Sequence, residues 1–122
     1  LVLPAMQQAK FGRIVNIASE AARLGSRGGS VYAAAKAGVV GFTKSIAREN
    51  ARYAITANVI APAATRTAMA ADASRASVPP QVPPIGRLIE PAEIAAYAAF
   101  VLSAEAAPVT GQELVVCGGA SL

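Results

Sequence analysis

The sequence contains no histidine and no tryptophan, and it has a single cysteine, Cys117. Without histidine, the chain lacks the commonest metal ligand and the side chain most often used as a general base near neutral pH. One cysteine cannot close an internal disulfide, and no neighbouring residue in the sequence activates its thiol, so we expect Cys117 to be a small buried residue. These absences argue against a metal site, a histidine-dependent triad and a disulfide framework.

Aromatic residues are scarce as well, at 5% of the 122 residues. The formal net charge is +4, but the basic residues are scattered from Lys10 to Arg87 and form no stripe interleaved with aromatic side chains. We therefore expect no nucleic-acid partner. The opening apolar run is too short to span a bilayer and lacks the charged start of a signal peptide, so we expect no membrane partner and a cytoplasmic, reducing location.

Apolar residues make up 54% of the chain, which is typical of a globular domain and not of a disordered segment. A chain of 122 residues forms at most one domain. It opens at Leu1 inside an apparent helix that runs to about residue 9, and it has no glycine-rich turn after a first strand, which a dinucleotide-binding unit needs. The sequence thus predicts a partial single domain over residues 1–122.

Two continuous apolar runs, about Arg13–Ala18 and Thr56–Pro62, predict buried parallel strands. Between them, an alanine-rich stretch without proline predicts a long helix from about Ser30 to Arg52, with Ser30 as its N-cap. Strand, helix and strand in this order predict a right-handed parallel crossover and an α/β fold. Asn16 is polar within the first strand, so we expect its side chain to be hydrogen-bonded.

The rest of the chain predicts a loop, a helix and a last strand. Residues 68–84 are rich in alanine, serine and proline, and they predict a long loop that is either a lid or disordered. Pro91 follows Glu90 at a favourable first position for a helix that runs to Leu102. We expect Tyr97 to pack on this helix and not to act in catalysis. The predicted core stripe of this helix consists of Ile94, Ala98, Val101 and Leu102, and the predicted last strand is Glu113–Gly118.

Tyr32 and Lys36 are four residues apart on the long predicted helix, so they share one face. Ionising a free tyrosine at pH 7 costs roughly 4 kcal/mol, and a neighbouring cation favours the phenolate. Ser19 leaves the first strand at its carboxyl end, where ligands bind in open α/β sheets. Such pairs also occur on helices without a function, and Ser19 could instead cap a short helix. Together the three side chains predict a site for acid–base chemistry.

Further motifs follow in chain order. They are Gly12-Arg-Ile-Val-Asn-Ile-Ala-Ser19, Tyr32-Ala-Ala-Ala-Lys36, Asn58-Val-Ile-Ala-Pro62, Ile85-Gly-Arg-Leu-Ile-Glu-Pro-Ala-Glu-Ile94, Thr110-Gly-Gln112 and Gly118-Gly119. Over nearly the whole chain this series resembles the short-chain dehydrogenase/reductase family, and within it the compact type that includes 3-oxoacyl-carrier-protein reductases. Members are about twice as long. The resemblance therefore implies the C-terminal, catalytic part of a Rossmann-like doubly wound parallel sheet, with the N-terminal dinucleotide-binding half absent.

The resemblance implies an NAD- or NADP-dependent oxidoreductase that interconverts a carbonyl and a secondary alcohol of a small-molecule substrate by hydride transfer. It implies that Tyr32 is the general acid and base, that Ser19 binds the substrate oxygen, and that Lys36 favours the phenolate and binds the cofactor ribose. The residue that selects NAD or NADP lies outside this chain.

The resemblance also implies a set of cofactor-binding residues, which are Tyr32, Lys36, Pro62, Ala63, Thr65 and Thr67. The family usually has glycine where Ala63 stands and aspartate where Cys117 stands. Because a positive φ at alanine costs about 1 kcal/mol or more, we expect an ordinary backbone at Ala63. Arg23 and Arg27, between Glu20 and Gly29, could meet an anionic substrate, although solvated loop charges are the simpler interpretation.

Small residues recur on the long helix at Ala33, Ala37 and Gly41, where another backbone could approach closely. Family members are usually dimers or tetramers whose equivalent helices pair, so the resemblance implies a homo-oligomer. A non-catalytic fragment or scaffold subunit that keeps this surface is the alternative, supported by the missing half. A dehydratase or epimerase of related fold would share the Tyr-Lys pair, but the later motifs favour a reductase.

Overall fold

The computed structural model describes residues 2–72 and 81–122. The elements in chain order are α1 (Leu3–Ala9), β1 (Gly12–Ile17), α2 (Ala21–Leu24), α3 (Ser30–Asn50), β2 (Ile55–Pro62), α4 (Ala68–Ala71), α5 (Pro91–Leu102) and β3 (Glu113–Val116). A 3-10 turn, Ala51–Tyr53, joins α3 to β2. No helix in the described part of the chain is both long and apolar enough to span a membrane.

Within the described residues, the strands form a parallel sheet in the order β1-β2-β3. Its central strand, β2, pairs with β1 from Ile55 to Ile60 and with β3 from Val59 to Pro62. Every residue of β2 before Pro62 is buried, which explains why this stretch is continuously apolar or uncharged. The predicted α/β fold with a parallel sheet is confirmed.

Helix α3 packs on this sheet through one face. Val40 of the helix meets Ala18, Val59 and Ala61 in the hydrophobic core. One turn further along, the buried Thr43 hydroxyl donates to Val39 O at 2.7 Å and accepts from Asn16 Nδ2 at 2.8 Å. The expectation of a hydrogen-bonded Asn16 is thus confirmed, and this bond links β1 to the middle of α3.

Several predicted boundaries are wrong. Ser30 is the first helical residue of α3, and Gly29 occupies the N-cap position without a side-chain bond. The helix ends at Asn50 and not at Arg52, because the chain tightens into the 3-10 turn and then reverses at Ala54, where φ is 56°. The predicted loop from Glu20 to Gly29 contains α2, and the predicted loop over 68–84 begins with α4. Residues 73–80 of that prediction lie outside the described residues.

The burial predicted for α5 and the predicted end of the last strand also need correction. Of the predicted stripe on α5, Val101 is buried, whereas Leu102 is 46% exposed. Tyr97, expected to pack, is 38% exposed. The last strand ends at Val116, two residues before Gly118, because the chain then enters a turn.

Two short stretches, Ala64–Arg66 and Ile89–Glu90, lie at the two ends of the segment between β2 and α5. They are bonded to each other, and we call them the clasp. Arg66 N donates to Ile89 O at 2.8 Å, and Ile89 N donates to Ala64 O at 3.0 Å. Arg66 Nε also lies 2.7 Å from Glu90 Oε1. The two ends of residues 67–88 are therefore held side by side, although they are far apart in the sequence.

Helix α5 begins immediately after the clasp through a capping box. Glu93 Oε2 accepts from Glu90 N at 2.8 Å, which satisfies a backbone donor at the helix start. Both terminal nitrogens of Arg87 bond the same carboxylate at 2.8 Å. These bonds lower the pKa of Glu93 to about 2, with the Arg87 side chain as the main cause. The carboxylate is therefore ionised throughout the physiological pH range.

Asn58 joins the central strand to the loop before β3, and we predict that Asn58→Ala lowers the free energy of unfolding by about 2–4 kcal/mol. Its buried side chain donates to Val109 O at 2.8 Å and accepts from Gln112 N at 3.1 Å. Removing it leaves both backbone groups without a partner, at about 1–3 kcal/mol each. Urea-induced unfolding measures the loss. Gln112→Ala, which removes an exposed amide from the same loop, should change stability by less than about 0.5 kcal/mol, and equal losses would contradict the assignment.

Gly118 lies in the turn after β3, and we predict that Gly118→Ala destabilises the fold by about 1 kcal/mol more than Gly111→Ala. Both glycines have a positive φ, 56° and 70°, so both alanines meet a backbone penalty of about 1–2 kcal/mol. A Cβ at Gly111 comes no closer than 3.6 Å to Ala47 Cβ, but one at Gly118 comes within 2.6 Å of Ile85 Cγ2 and 3.1 Å of Pro83 Cβ. Thermal or urea unfolding of the two variants tests this. Equal midpoints would show that Ile85 and Pro83 move aside without a cost in stability.

Candidate active site

A cavity of about 670 Å³ opens where β1 and β2 end. Ser19, which follows β1, lines it together with Tyr32 from the first turn of α3. Ala63 and Ala64, which follow β2, form another part of its wall. The carboxyl ends of neighbouring parallel strands are where open α/β sheets bind ligands, and this volume suits a small organic molecule.

The ammonium group of Lys36 lies next to Tyr32, as their spacing predicted. Lys36 Nζ is 5.8 Å from the centre of the Tyr32 ring and donates to Ile17 O at 3.1 Å. The carbonyl at the end of β1 therefore holds the cation on the tyrosine side of the helix. Lys36 itself does not line the cavity, whereas the Tyr32 side chain does and is 51% exposed.

Ser19 presents its hydroxyl to the same cavity. Its Oγ accepts from Ala21 N at 3.2 Å, a local bond that starts the turn into α2. This bond uses an oxygen lone pair, so the hydroxyl hydrogen remains available to donate to a ligand. Glu20 N donates to Pro62 O at 3.0 Å, which ties this turn to the end of β2. The structure thus brings Ser19, Tyr32 and Lys36 into one region.

The residues proposed for cofactor binding after β2 are only partly brought to the cavity. Ala63 lines it, whereas Pro62, Thr65 and Thr67 do not. Thr65 Oγ1 donates to Ala63 O at 2.9 Å, and Thr67 Oγ1 accepts from Ala70 N at 3.3 Å as the N-cap of α4. Thr65 therefore supports the backbone at Ala63, whereas Thr67 stabilises the start of α4.

The backbone at Ala63 is ordinary, as expected. Among the described residues, the non-glycine residues with positive φ are Lys10 and Ala54. Ala63 N donates to Val116 O at 3.0 Å, so the residue continues the parallel pairing with β3. Alanine at this position therefore causes no backbone strain.

Cys117 differs from the expectation of a buried, inert thiol. It is half-buried, and it follows β3 directly. The pKa of its thiol is lowered, mainly by a hydrogen bond from the backbone of Ser121, with a further bond from Gly119, while burial acts in the opposite direction. Cys117 is not part of the cavity wall.

Several lining residues were not singled out from the sequence. Glu20 adjoins Ser19 in the sequence, so its proximity to the site could have been noticed; its carboxylate accepts a hydrogen bond from the Ser121 hydroxyl. Gln81 and Ala120 approach from distant parts of the chain, and no local pattern indicates them. Arg27, considered for an anionic substrate, does line the cavity. In residues 2–72 and 81–122, no three acidic, histidine or cysteine side chains cluster as metal ligands.

Comparisons with known proteins agree with this architecture. The model of the family described as enoyl-(acyl carrier protein) reductase matches residues 1–121. The 3-oxoacyl-[acyl-carrier-protein] reductase FabG of Vibrio cholerae is 47% identical over 121 residues, a match that covers 97% of this chain and 49% of that protein. The chain thus spans about half the length of the curated relatives it matches.

Two solved structures of longer chains have the same fold. A 3-oxoacyl-[acyl-carrier protein] reductase from Brucella melitensis with bound NAD has a TM-score of 0.81 and 35% identity, covering 98% of this chain and 45% of that one. A variant of actinorhodin polyketide ketoreductase with NADPH has a TM-score of 0.87 and 38% identity, covering 96% and 50%. With the family match and these relatives, the chain belongs to the short-chain dehydrogenase/reductase family and is similar to its 3-oxoacyl-carrier-protein reductases.

Proposed function

We propose that this chain is the catalytic part of an NAD- or NADP-dependent oxidoreductase that interconverts a carbonyl group and a secondary alcohol. The observation that carries the proposal is the grouping of Ser19 and Tyr32 on one cavity, with Lys36 Nζ 5.8 Å from the Tyr32 ring. A hydroxyl donor, a phenol and a cation at one place suit a reaction in which charge develops on a single oxygen.

Each of these side chains has a distinct role in the proposal. The Tyr32 phenol donates a proton to the substrate oxygen during reduction and removes it during oxidation. The Ser19 hydroxyl, whose hydrogen is available, donates to the same oxygen and stabilises its developing negative charge. The Lys36 cation favours the phenolate that forms when Tyr32 gives up its proton. The Ile17 carbonyl positions Lys36 for this role.

The residues present fit the nicotinamide end of the cofactor, which when bound supplies or accepts the hydride. Lys36 has three N–H donors, of which Ile17 O accepts one, so others can bond a ribose hydroxyl. Ala63 and Ala64 give a wall of small side chains against which a flat ring can lie. Thr65 supports this wall through its bond to Ala63 O. One solved neighbour binds NAD and another NADPH, so either cofactor is compatible with the proposal.

We assign binding of the nucleotide phosphates to an N-terminal half, because the relatives are about twice as long as this chain. The glycine-rich turn that holds phosphates in such folds is not among the 122 residues. We also propose a cytoplasmic location, where a free thiol such as that of Cys117 is kept reduced.

The far face of α3 supports a homo-oligomer, either a dimer or a tetramer. Val31 and Phe42 on this helix are 83% and 62% exposed, which is unusual for apolar side chains on a helix packed on a sheet. Of the small residues Ala33, Ala37 and Gly41, the last two are exposed and allow the close approach of a second helix, whereas Ala33 is partly buried. We propose that the second helix is the equivalent helix of another copy.

Replacing Tyr32 by Phe in the full-length protein should lower kcat by about a hundredfold or more, because it removes the proton donor. Binding of NADH or NADPH, followed by fluorescence titration, should change little. Tyr97→Phe is the matched control, since it removes a phenol hydroxyl from α5 away from the cavity. Full turnover in the Tyr32 variant would refute the role of Tyr32. A wild-type protein that folds and assembles but reduces no carbonyl compound with either cofactor would favour the scaffold alternative.

Gly41→Leu should dissociate the oligomer, whereas Gly41→Ala should leave it assembled. A Cβ at Gly41 meets nothing within 4 Å, and either replacement improves helix propensity by about 1 kcal/mol, so the single chain has no reason to lose stability. Only the larger side chain blocks close helix approach. Sedimentation velocity of both variants measures the result, and an assembled Gly41→Leu protein would place the interface elsewhere.

A further inference from the structure

Arg27 is the arginine among the residues that line the candidate active site. It lies in the turn between α2 and α3 and lines the same cavity as Ser19 and Tyr32. Arg23 is only four residues earlier in the sequence and does not line the cavity. The two arginines were equivalent candidates in the sequence, and the fold distinguishes them.

The Arg27 guanidinium is not paired with any carboxylate among residues 2–72 and 81–122. Glu20, the carboxylate on the same wall, accepts a hydrogen bond from Ser121 instead. By comparison, Arg66 and Arg87 are both engaged with glutamates at 2.7 and 2.8 Å. An exposed arginine beside a cavity, with its charge unpaired, has its planar fork of donors available for a carboxylate or a phosphate.

We propose that Arg27 binds an anionic group of the substrate and makes the enzyme selective for small carbonyl compounds that carry a carboxylate or a phosphate. This inference rests on the proposed reductase function. Ser19 and Tyr32 hold the carbonyl oxygen while Arg27 holds the anion, so both groups of the substrate fit within one cavity of about 670 Å³. The negative charge of Glu20 repels an anion from its own part of the wall, which leaves the Arg27 side as the place for the charged end.

The test compares substrates that differ only in charge, using the full-length protein and its preferred cofactor. Acetoacetate is paired with methyl acetoacetate, and dihydroxyacetone phosphate with dihydroxyacetone. The wild type should favour the anionic member of at least one pair in kcat/KM, and the pair with the larger preference distinguishes carboxylate from phosphate. Arg27→Gln should lower kcat/KM for that anion by about tenfold or more, mainly through KM, and leave the neutral partner unchanged.

Two control variants sharpen the comparison. Arg23→Gln removes a positive charge from the same connection without altering the cavity wall, so it should leave both members of each pair unchanged. Arg27→Lys retains the charge without the planar fork, so it should recover part of the preference. Equal losses for anionic and neutral substrates, or none in the Arg27→Gln protein, would overturn the proposal.

A binding measurement separates failure of this inference from failure of the reductase function. The favoured anion should raise the thermal midpoint of the wild type more than its neutral partner does, and Arg27→Gln should remove the difference. If this pattern holds in a protein that reduces no carbonyl compound with either cofactor, the anion site is supported and the reductase function is rejected. If turnover is normal but neither the midpoint nor kcat/KM depends on Arg27, the anion site is rejected and the reductase function stands.

Discussion

Parallel pairing on both sides of β2 determines where every candidate functional group of this chain lies. Since β1 and β2 run in the same direction and pair from Gly12 with Ile55 onward, their carboxyl ends must emerge at the same edge of the sheet. Ser19 and Ala63 follow those ends, and α3 returns across the sheet with Tyr32 in its first turn. An unpaired or shifted β2 would separate the groups that share the cavity.

The hydrogen bond from Lys36 to the Ile17 carbonyl makes the position of the lysine cation depend on the sheet as well. The carbonyl belongs to the last residue of β1, so the strand that brings Ser19 to the cavity also holds the cation beside Tyr32. Farther along α3, the bond between Asn16 and Thr43 links the same strand to the helix. Two polar contacts from one strand therefore orient the helix that carries the proposed acid and base.

Local patterns in the sequence were sufficient for the three strands, for α3 and α5, and for the grouping of Ser19, Tyr32 and Lys36, but they missed the short helices α2 and α4. The apolar run of β2, the alanine-rich α3 and the proline start of α5 depend on neighbours in the chain, so a window of residues reveals them. Contacts between distant segments were beyond such reasoning. Gln81 and Ala120 reach the cavity from opposite ends of the second half of the chain, and only the folded structure separates Arg27 from Arg23. Ser30 was misassigned because serine is favoured at a helix start, although the preceding Gly29 has the N-cap position.

The clasp between Ala64–Arg66 and Ile89–Glu90 has a consequence for how the segment between β2 and α5 can vary in length. Its backbone bonds and ion pair hold together the two points at which the intervening segment leaves and rejoins the body of the protein. Because the cost of loop closure grows only slowly with loop length, a change in the length of that segment alters this cost little. An insertion or deletion between these two points therefore need not alter the pairing of β1, β2 and β3.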